Sequence, residues 1–195
     1  MLAQLRPAIV STVLFTLLLG VAYPLAVTGI GGLAFPDQAG GSLIRNGSGA
    51  IVGSRLIAQG FEEARYLQPR ASAAGKGYDA GGSSGSNLGP LNDDLVAREK
   101  EGAAAYRAAT GQAVVPADAV TTSASGLDPD VSPANAALQA SRIAAARGVS
   151  VAQIEAVIAA HTKGRTLGVL GQPRVNVLEV NLDLDARLPV HPAVP

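Results

Sequence analysis

The stretch Pro7-Ala-Ile-Val-Ser-Thr-Val-Leu-Phe-Thr-Leu-Leu-Leu-Gly-Val-Ala-Tyr-Pro-Leu-Ala-Val-Thr-Gly-Ile-Gly-Gly-Leu-Ala-Phe35 sits in a segment with no charged side chain between Arg6 and Asp37. It is longer than the roughly 20 residues that a bilayer-spanning helix needs. Fourteen of its residues are Leu, Ile, Val or Phe. At about −0.3 to −0.6 kcal/mol each, such residues favour insertion by about 4–8 kcal/mol before polar positions count against it. A cleaved signal peptide also starts with a cation and an apolar run, but its apolar core is about 7–15 residues and ends at a small-x-small site. Here the run is far longer, and no clear Ala-x-Ala site follows it. A lipoprotein signal needs a cysteine to acylate, and the chain has none. The reading is a membrane-anchored protein. Residues 1–6 form a short cytoplasmic N-terminus, 7–35 a single transmembrane helix, and 37–195 a soluble domain.

Within the run, Thr12, Thr16, Gly20, Pro24, Thr28 and Gly32 recur every fourth residue. Positions four apart lie nearly one above another on a helix. Small and hydroxylated residues let helix backbones approach closely in lipid, where no hydrophobic drive joins them. These six positions are the expected packing face against another membrane helix. Each step overshoots a turn by about 40°, so the ridge spirals. Pro24 lacks an N–H, and its ring opposes the Gly20 carbonyl, which predicts a kink there. Gly29, Gly31 and Gly32 predict fraying before Phe35.

Charge says little about orientation, since Arg6 and the terminal amine face Asp37 and Arg45 across the run. A five-residue leader is easily retained in the cytoplasm while the bulk is exported. The expectation is a single-pass protein of the cytoplasmic (inner) membrane, N-terminus inside and domain outside (periplasmic).

The 159 residues from Asp37 onward suit one domain. A formal net charge of zero gives a nucleic-acid partner little electrostatic support. Ala50–Ala58 reads as a strand with a glycine break and Phe61–Tyr66 as a short helical turn. The stretch 69–90 is a long Gly/Ser-rich loop, of the kind that is usually functional or disordered. A helix is predicted from Asn92 to Thr110, with Asn92 as cap and Gly111 past its end. Val120–Ser123 reads as a strand. Ser132-Pro133 starts a helix running to Arg147 before Gly148. Ser150 and Gln153 form a capping box for another helix ending near Thr162. From Asn176 to Asp185, Leu178, Val180, Leu182 and Leu184 alternate with polar residues, the pattern of a half-buried strand. The fold class is α+β: one transmembrane helix followed by one mixed α/β extracytoplasmic domain.

Catalytic chemistry is hard to find. His161 falls near a helix C-terminus, where a histidine suits the helix dipole, and His191 lies in a Pro-rich tail expected to be mobile. Neither has a His or Cys companion at metal spacing. No Gly-x-Ser-x-Gly elbow marks a hydrolase serine. Gly81-Gly-Ser-Ser-Gly-Ser-Asn87 resembles an anion-cradling loop. It lacks the Gly-Lys-Ser/Thr ending of a P-loop and follows no clear strand. Ser123–Pro133 reads as a shaped connection into a helix. Catalytic and metal-ligating residues are therefore expected to be none.

Several stretches, in this order behind one anchor, resemble the C subunit of the Kdp potassium-transporting P-type ATPase. They are Tyr23-Pro-Leu25, Gly53-Ser54, Leu56-Ile57, Gln68-Pro-Arg-Ala-Ser-Ala73, Tyr78-Asp-Ala80 and Ser86-Asn-Leu-Gly-Pro90. Ser125-Gly-Leu-Asp-Pro-Asp-Val-Ser-Pro133, Gln139-Ala-Ser-Arg142 with Ala145-Ala-Arg147, and Leu170-Gly-Gln-Pro-Arg-Val-Asn-Val-Leu178 complete the set. Three positions depart from the pattern: Ala71 where a proline is expected, Ser84 where a glycine is usual, and Asp130 where a histidine is usual.

The resemblance implies a non-catalytic accessory subunit of a high-affinity potassium uptake complex. Its partners would be a potassium-conducting, channel-like subunit and a P-type ATPase subunit, besides the lipid bilayer. It also implies a catalytic chaperone that raises the ATP affinity of the pump subunit. ATP and potassium then belong to the complex, with no cofactor demonstrable on this chain. By resemblance alone, Ser83, Ser84, Gly85, Ser86 and Asn87 are weak nucleotide candidates, and the serine at position 84 counts against them. An exported domain could not meet cytoplasmic nucleotide directly. The competing readings are an anchored extracytoplasmic ligand-binding module using the 69–90 loop, and an anchored hydrolase using Ser84, Ser86 or His161.

Overall fold

A computed structural model describes residues 2–189; His191 and the end of the Pro-rich tail lie outside the described residues. The described residues form two compact units, one up to residue 43 and one from residue 44 onward.

The first unit is one apolar helix with a change of pitch inside it. α1 spans Leu2–Leu17, a π-helical turn spans Leu18–Ala22, and α2 spans Tyr23–Ala34. Residues 3–34 form one helix long and apolar enough to cross a membrane. The Tyr23 N–H reaches back five residues to the Leu18 carbonyl. Pro24 has no N–H to offer the Gly20 carbonyl, and widening the turn before it keeps its ring clear of that carbonyl. Where a kink was expected near Pro24, the helix carries a π turn immediately upstream of it. Fraying at the glycines does not occur. Gly29, Gly31 and Gly32 stay helical, and the stop comes at Phe35 (φ −136°, ψ 60°), whose N–H caps Gly31. Pro36 follows, and a residue before proline is pushed out of helical geometry. α3, Pro36–Ala39, is a single turn.

The second unit begins with a two-stranded hairpin, β1 (Leu43–Arg45) and β2 (Ile51–Ser54). Its helices are α4 (Asp93–Thr110), α5 (Ala117–Val120), α6 (Pro133–Arg147), α7 (Val151–Ala160) and α8 (Val177–Arg187). A small antiparallel sheet has the order β3-β5-β4, from Asp130–Val131, Arg174–Asn176 and Thr162–Lys163. Val131 pairs with Val175, and Val175 with Thr162.

Three helix starts follow their cap chemistry. Asn92 accepts from the Asp94 and Leu95 N–H groups, Ser132 accepts from Asn135, and Ser150 and Gln153 close a reciprocal capping box. Gly111 and Gly148 end α4 and α6 in the left-handed region. Ala136, Ala140 and Ala144 form a buried stripe on α6, and such small side chains let α7 pack close. With Ile143, Ile154, Val157, Ile158, Val175, Val177, Val180 and Leu184 they make an aliphatic core.

Three expectations are corrected. The strand expected at 176–185 is helix α8. Its buried residues are Val177, Leu178, Val180, Asn181 and Leu184, a helical spacing of one, three, four and seven from the first. Val120–Ser123 is not a strand: α5 ends at Val120, and an extended connection follows. Phe61–Tyr66 is no helix but carries one hydrogen-bonded turn, Tyr66 N–H to the Glu63 carbonyl at 3.1 Å.

Candidate functional site

The polar stretches singled out in the sequence converge around the β3-β5 pair. β3 belongs to Ser125–Pro133 and β5 to Leu170–Leu178. Beside them lies an open cleft of about 470 Å³, lined by Arg70, Asp118, Asp128, Asp130, Ser132 and Arg174 among others. Each carboxylate there is engaged. Asp118 accepts from the Ser132 N–H (2.7 Å), the Ser132 hydroxyl (3.0 Å) and the Asn135 amide (3.2 Å). It thereby doubles the cap of α6. Asp128 pairs with Arg70 at 3.0 Å. Asp130 pairs with Arg174 at 3.1 Å and accepts from Asn176 at 3.2 Å. Burial pushes the Asp130 carboxyl above its usual range, and the Asn176 hydrogen bond and Arg174 charge offset this only in part.

A second group clamps the segment leading into Gln68–Ala73. Two buried amides act as surrogate strand partners. Gln139 Oε1 accepts the Gln68 N–H at 2.9 Å, and its Nε2 donates to the Gln68 carbonyl at 3.2 Å. Asn181 does the same for Leu67, at 2.8 and 2.9 Å. Arg142 donates to the Ala64 and Tyr66 carbonyls. The Arg147 guanidinium, its side chain wholly buried, reaches the Arg65, Leu184 and Leu188 carbonyls and pairs with Asp185 at 2.8 Å. The Gln139-Ala-Ser-Arg142 and Arg147 pattern is thus a bracket for residues 64–68.

The Gly/Ser loop is laid along the 123–126 segment. Ser84 donates its N–H to the Ser125 carbonyl at 3.0 Å, and the Ser83 hydroxyl donates to the same oxygen at 2.9 Å. The Ser84 hydroxyl donates to the Gly85 carbonyl, and Arg98 donates to the Ser86 hydroxyl at 3.4 Å. A Cβ on Gly85 would stand 2.8 Å from the Ala124 carbonyl oxygen. Asn87 is held at φ 54°. The Ser84 N–H that an anion would need is therefore donated inside the fold. Upstream, the Ser72 hydroxyl donates to the Gly126 carbonyl at 2.6 Å and accepts from the Ala74 and Tyr78 N–H groups.

His161 caps the end of α7, where its Nε2 lies 2.9 Å from Asp183 and its Nδ1 3.9 Å from Glu179. Arg187 also pairs with Asp183, at 2.6 Å. Burial raises the Asp183 carboxyl, but the hydrogen bonds and charges of His161 and Arg187 outweigh it and hold the group below its ordinary range. A depressed carboxylate adds stability above its unfolded-state pKa and loses it as pH falls through the folded value. Asp183→Asn should therefore lower the melting temperature at pH 7. The gap to the native protein should close as pH drops below about 4, and a gap independent of pH would contradict the pairing. Among the described residues, no group of three or more His, Asp or Glu is placed to hold a metal.

On the N-terminal apolar helix, Thr12, Thr16 and Gly20 line one groove together with Ser11, Phe15 and Leu19. Pro24, Thr28 and Gly32 are not among the groove's lining residues. Beyond the spiral inherent in a four-residue step, the π turn at Leu18–Ala22 shifts the face of everything after it.

The comparisons with known proteins bear on the whole chain. Residues 5–186 match the family described as K+-transporting ATPase, c chain (KdpC). The chain belongs to this family. It is 63% identical over 191 residues to a protein of Caulobacter sp. (strain K31), spanning 98% of this chain and 97% of that one. It is 59% identical to one from Beijerinckia indica, spanning 97% of both. A protein of Koribacter versatilis is 48% identical, with 96% of both spanned. Each of these relatives is named potassium-transporting ATPase KdpC subunit.

The sequence reading missed Asn181, Asp118 and the Asp183 partner of His161. Asn181 and Asp183 were hidden by the strand assigned over α8. The signals that mark this helix are the Asn176 cap, whose side chain accepts from the Glu179 N–H, and the Asp183–Arg187 pair four residues apart.

Proposed function

We propose that this chain is the non-catalytic accessory subunit of an ATP-driven potassium uptake complex, joining a potassium-conducting subunit to a P-type ATPase subunit. Its helix crosses the cytoplasmic membrane with the N-terminus inside, and its domain lies outside. One observation carries the reading. In a chain of this family, the polar groups of the diagnostic stretches are spent on holding their own fold together. Gln139, Arg142 and Arg147 bond to the backbone of residues 64–68, and Asp128 and Asp130 pair with Arg70 and Arg174. That supports a protein acting through its surfaces and its helix. Any influence on ATP affinity then passes through the partner subunits as a coupling between sites. The Ser84 N–H, already donated to Ser125, supports this indirect route.

The affinity-tagged chain, extracted from membranes, should bring down two large membrane proteins in constant ratio. Recovery of the chain alone would favour the ligand-binding module instead. Because the chain has no cysteine, a cysteine introduced at Ser84 reports topology cleanly. An impermeant maleimide should label it in intact cells, and labelling only after lysis would reverse the orientation.

Two substitutions test the surfaces. A Cβ on Gly20 would meet only its own helix, Thr16 Cγ2 at 4.0 Å, so a larger side chain there costs the isolated chain little. Gly20→Leu should lower the yield of assembled complex by roughly tenfold, since it blocks close helix approach, while Leu18→Ala should leave it near native. Equal yields would refute the packing face. Replacing Ser83, Ser84 and Ser86 together with alanine should change the ATP affinity of the complex by less than about twofold, because the Ser84 backbone bond survives. A loss of an order of magnitude in nucleotide titration would restore direct contact.

A further inference from the structure

The hairpin between β4 and β5 has a tip unlike the rest of the domain surface. Leu167 is 87% exposed, Val169 71% and Leu170 59%, with only Gly168 between them. Leu167 is held at φ 55°, a conformation that a branched, bulky residue rarely adopts and that often accompanies a functional demand.

The tip satisfies four of its N–H groups internally, those of Thr166, Gly168, Val169 and Leu170. Thr166 and Leu170 exchange N–H and carbonyl at 2.9 Å each way, Gly168 donates to the Arg165 carbonyl at 3.1 Å, and Val169 to the Thr166 carbonyl at 3.3 Å. Each N–H satisfied inside the turn lowers the cost of leaving water, and the Leu167, Gly168 and Val169 carbonyls suit the hydrated interface rather than the hydrocarbon centre. The stem carries the opposite chemistry. From 162 to 178 there is no carboxylate, and the cations are Lys163, Arg165 and Arg174. Lys163 faces Glu179 and Arg174 faces Asp130, while Arg165 bonds the neutral Gln172 amide at 2.9 Å. Apolar side chains at a tip with cations a few residues behind match a bilayer interface, acyl chains below and anionic headgroups above.

We infer that the 163–174 hairpin is a second membrane contact of this chain, dipping Leu167, Val169 and Leu170 into the acyl region of the leaflet facing the domain, with Arg165 at the headgroups. The contact rests on the reading of residues 3–34 as a transmembrane helix. Only residues 35–42 separate that helix from β1, a connection of at most about 30 Å.

The chain has no tryptophan, so one introduced indole reports without background. Full-length Leu167→Trp and, separately, Val169→Trp would be reconstituted into phosphatidylcholine/phosphatidylglycerol liposomes. Leu91→Trp, at a 94% exposed loop position, is the control. Both tip reporters should emit to the blue of the control. Acyl-brominated lipid should remove roughly half or more of their emission, as expected about 5–10 Å into the interface. Acrylamide should quench the control several-fold better than the tip. Retention in liposomes after an alkaline carbonate wash scores the helix separately. A retained protein whose tip reporters ignore brominated lipid would overturn the hairpin contact and leave the anchor standing. Quenching by brominated lipid in a protein that washes off would do the reverse. A tip that turns blue only when partner subunits are co-reconstituted, without bromine quenching, would assign it to a protein groove and overturn the inference.

Discussion

Asn181→Leu should lower the stability of the domain by about 2–4 kcal/mol, although leucine suits a helix and a core better than asparagine does. Asn181 is 1% exposed and Leu67, its partner, is fully buried. The amide gives Leu67 both of the bonds that a neighbouring strand would supply. Leucine gains some apolar burial, worth at most about 1–2 kcal/mol at this size. It leaves a buried N–H and a buried C=O without partners, at about 1–3 kcal/mol apiece. The second effect wins. For a domain of this length the melting temperature of the full chain in micelles should fall by about 5–15 °C. A fall of less than about 2 °C would mean that the 64–68 segment finds other partners, and the bracket would lose its standing. Gln139→Leu should behave alike, and also take one partner from Arg142, which donates to Gln139 Oε1 at 2.7 Å.

The same residue shows why part of this fold was legible in the sequence and part was not. Helix ends could be read because their chemistry is local. Asn92, Ser132-Pro133, Ser150 with Gln153, Gly111 and Gly148 each act within four residues of themselves, and the structure follows all of them. α8 was misread because its apolar residues 178, 180, 182 and 184 happen to alternate. The alternation lost to a feature outside the segment: Asn181, polar and so assigned to water, is buried because Leu67, more than a hundred residues earlier, needs it. No local pattern carries that information. Helical spacing then places Leu182 at the rim of an open cleft beside His161, Glu179 and Asp183.

The polar cleft was hidden for a related reason. Ser125–Pro133 and Leu170–Leu178 were each visible as unusual, but their adjacency through β3 and β5 is a tertiary fact. The Gly/Ser loop was expected to be functional or disordered. It is fastened to the 123–126 segment through the Ser72 and Ser83 hydroxyls and the Ser84 N–H, groups that a flexible linker would leave to solvent. The N-terminal apolar helix, by contrast, needed no tertiary knowledge. Its composition alone sets its length and polarity; the π turn before Pro24 and the unbroken helix through Gly29, Gly31 and Gly32 are the departures from expectation.

The fastening of that loop has one point of greatest leverage, Gly126. Its φ is 68°, and a Cβ would stand 2.5 Å from the Ser84 carbonyl oxygen and 2.7 Å from the Ala74 nitrogen. Gly148 offers a matched comparison, with φ 67° and nothing within 4 Å of its Cβ position. Gly148→Ala bears only the conformational penalty of a left-handed residue, about 1 kcal/mol. Gly126→Ala bears that penalty and must also push two backbone strands apart, because neither close atom ends a flexible side chain. Displacing packed backbone adds about 1–3 kcal/mol, so the total should reach about 2–4 kcal/mol and break the Ser84–Ser125 bond. Thermal melts of the two full-length variants should therefore differ by at least about 3 °C. Protease should cut the 74–90 stretch faster in Gly126→Ala alone. Should the two melt together with equal resistance to protease, the loop is not held by close backbone packing. Its engaged N–H groups would then no longer argue against a ligand there.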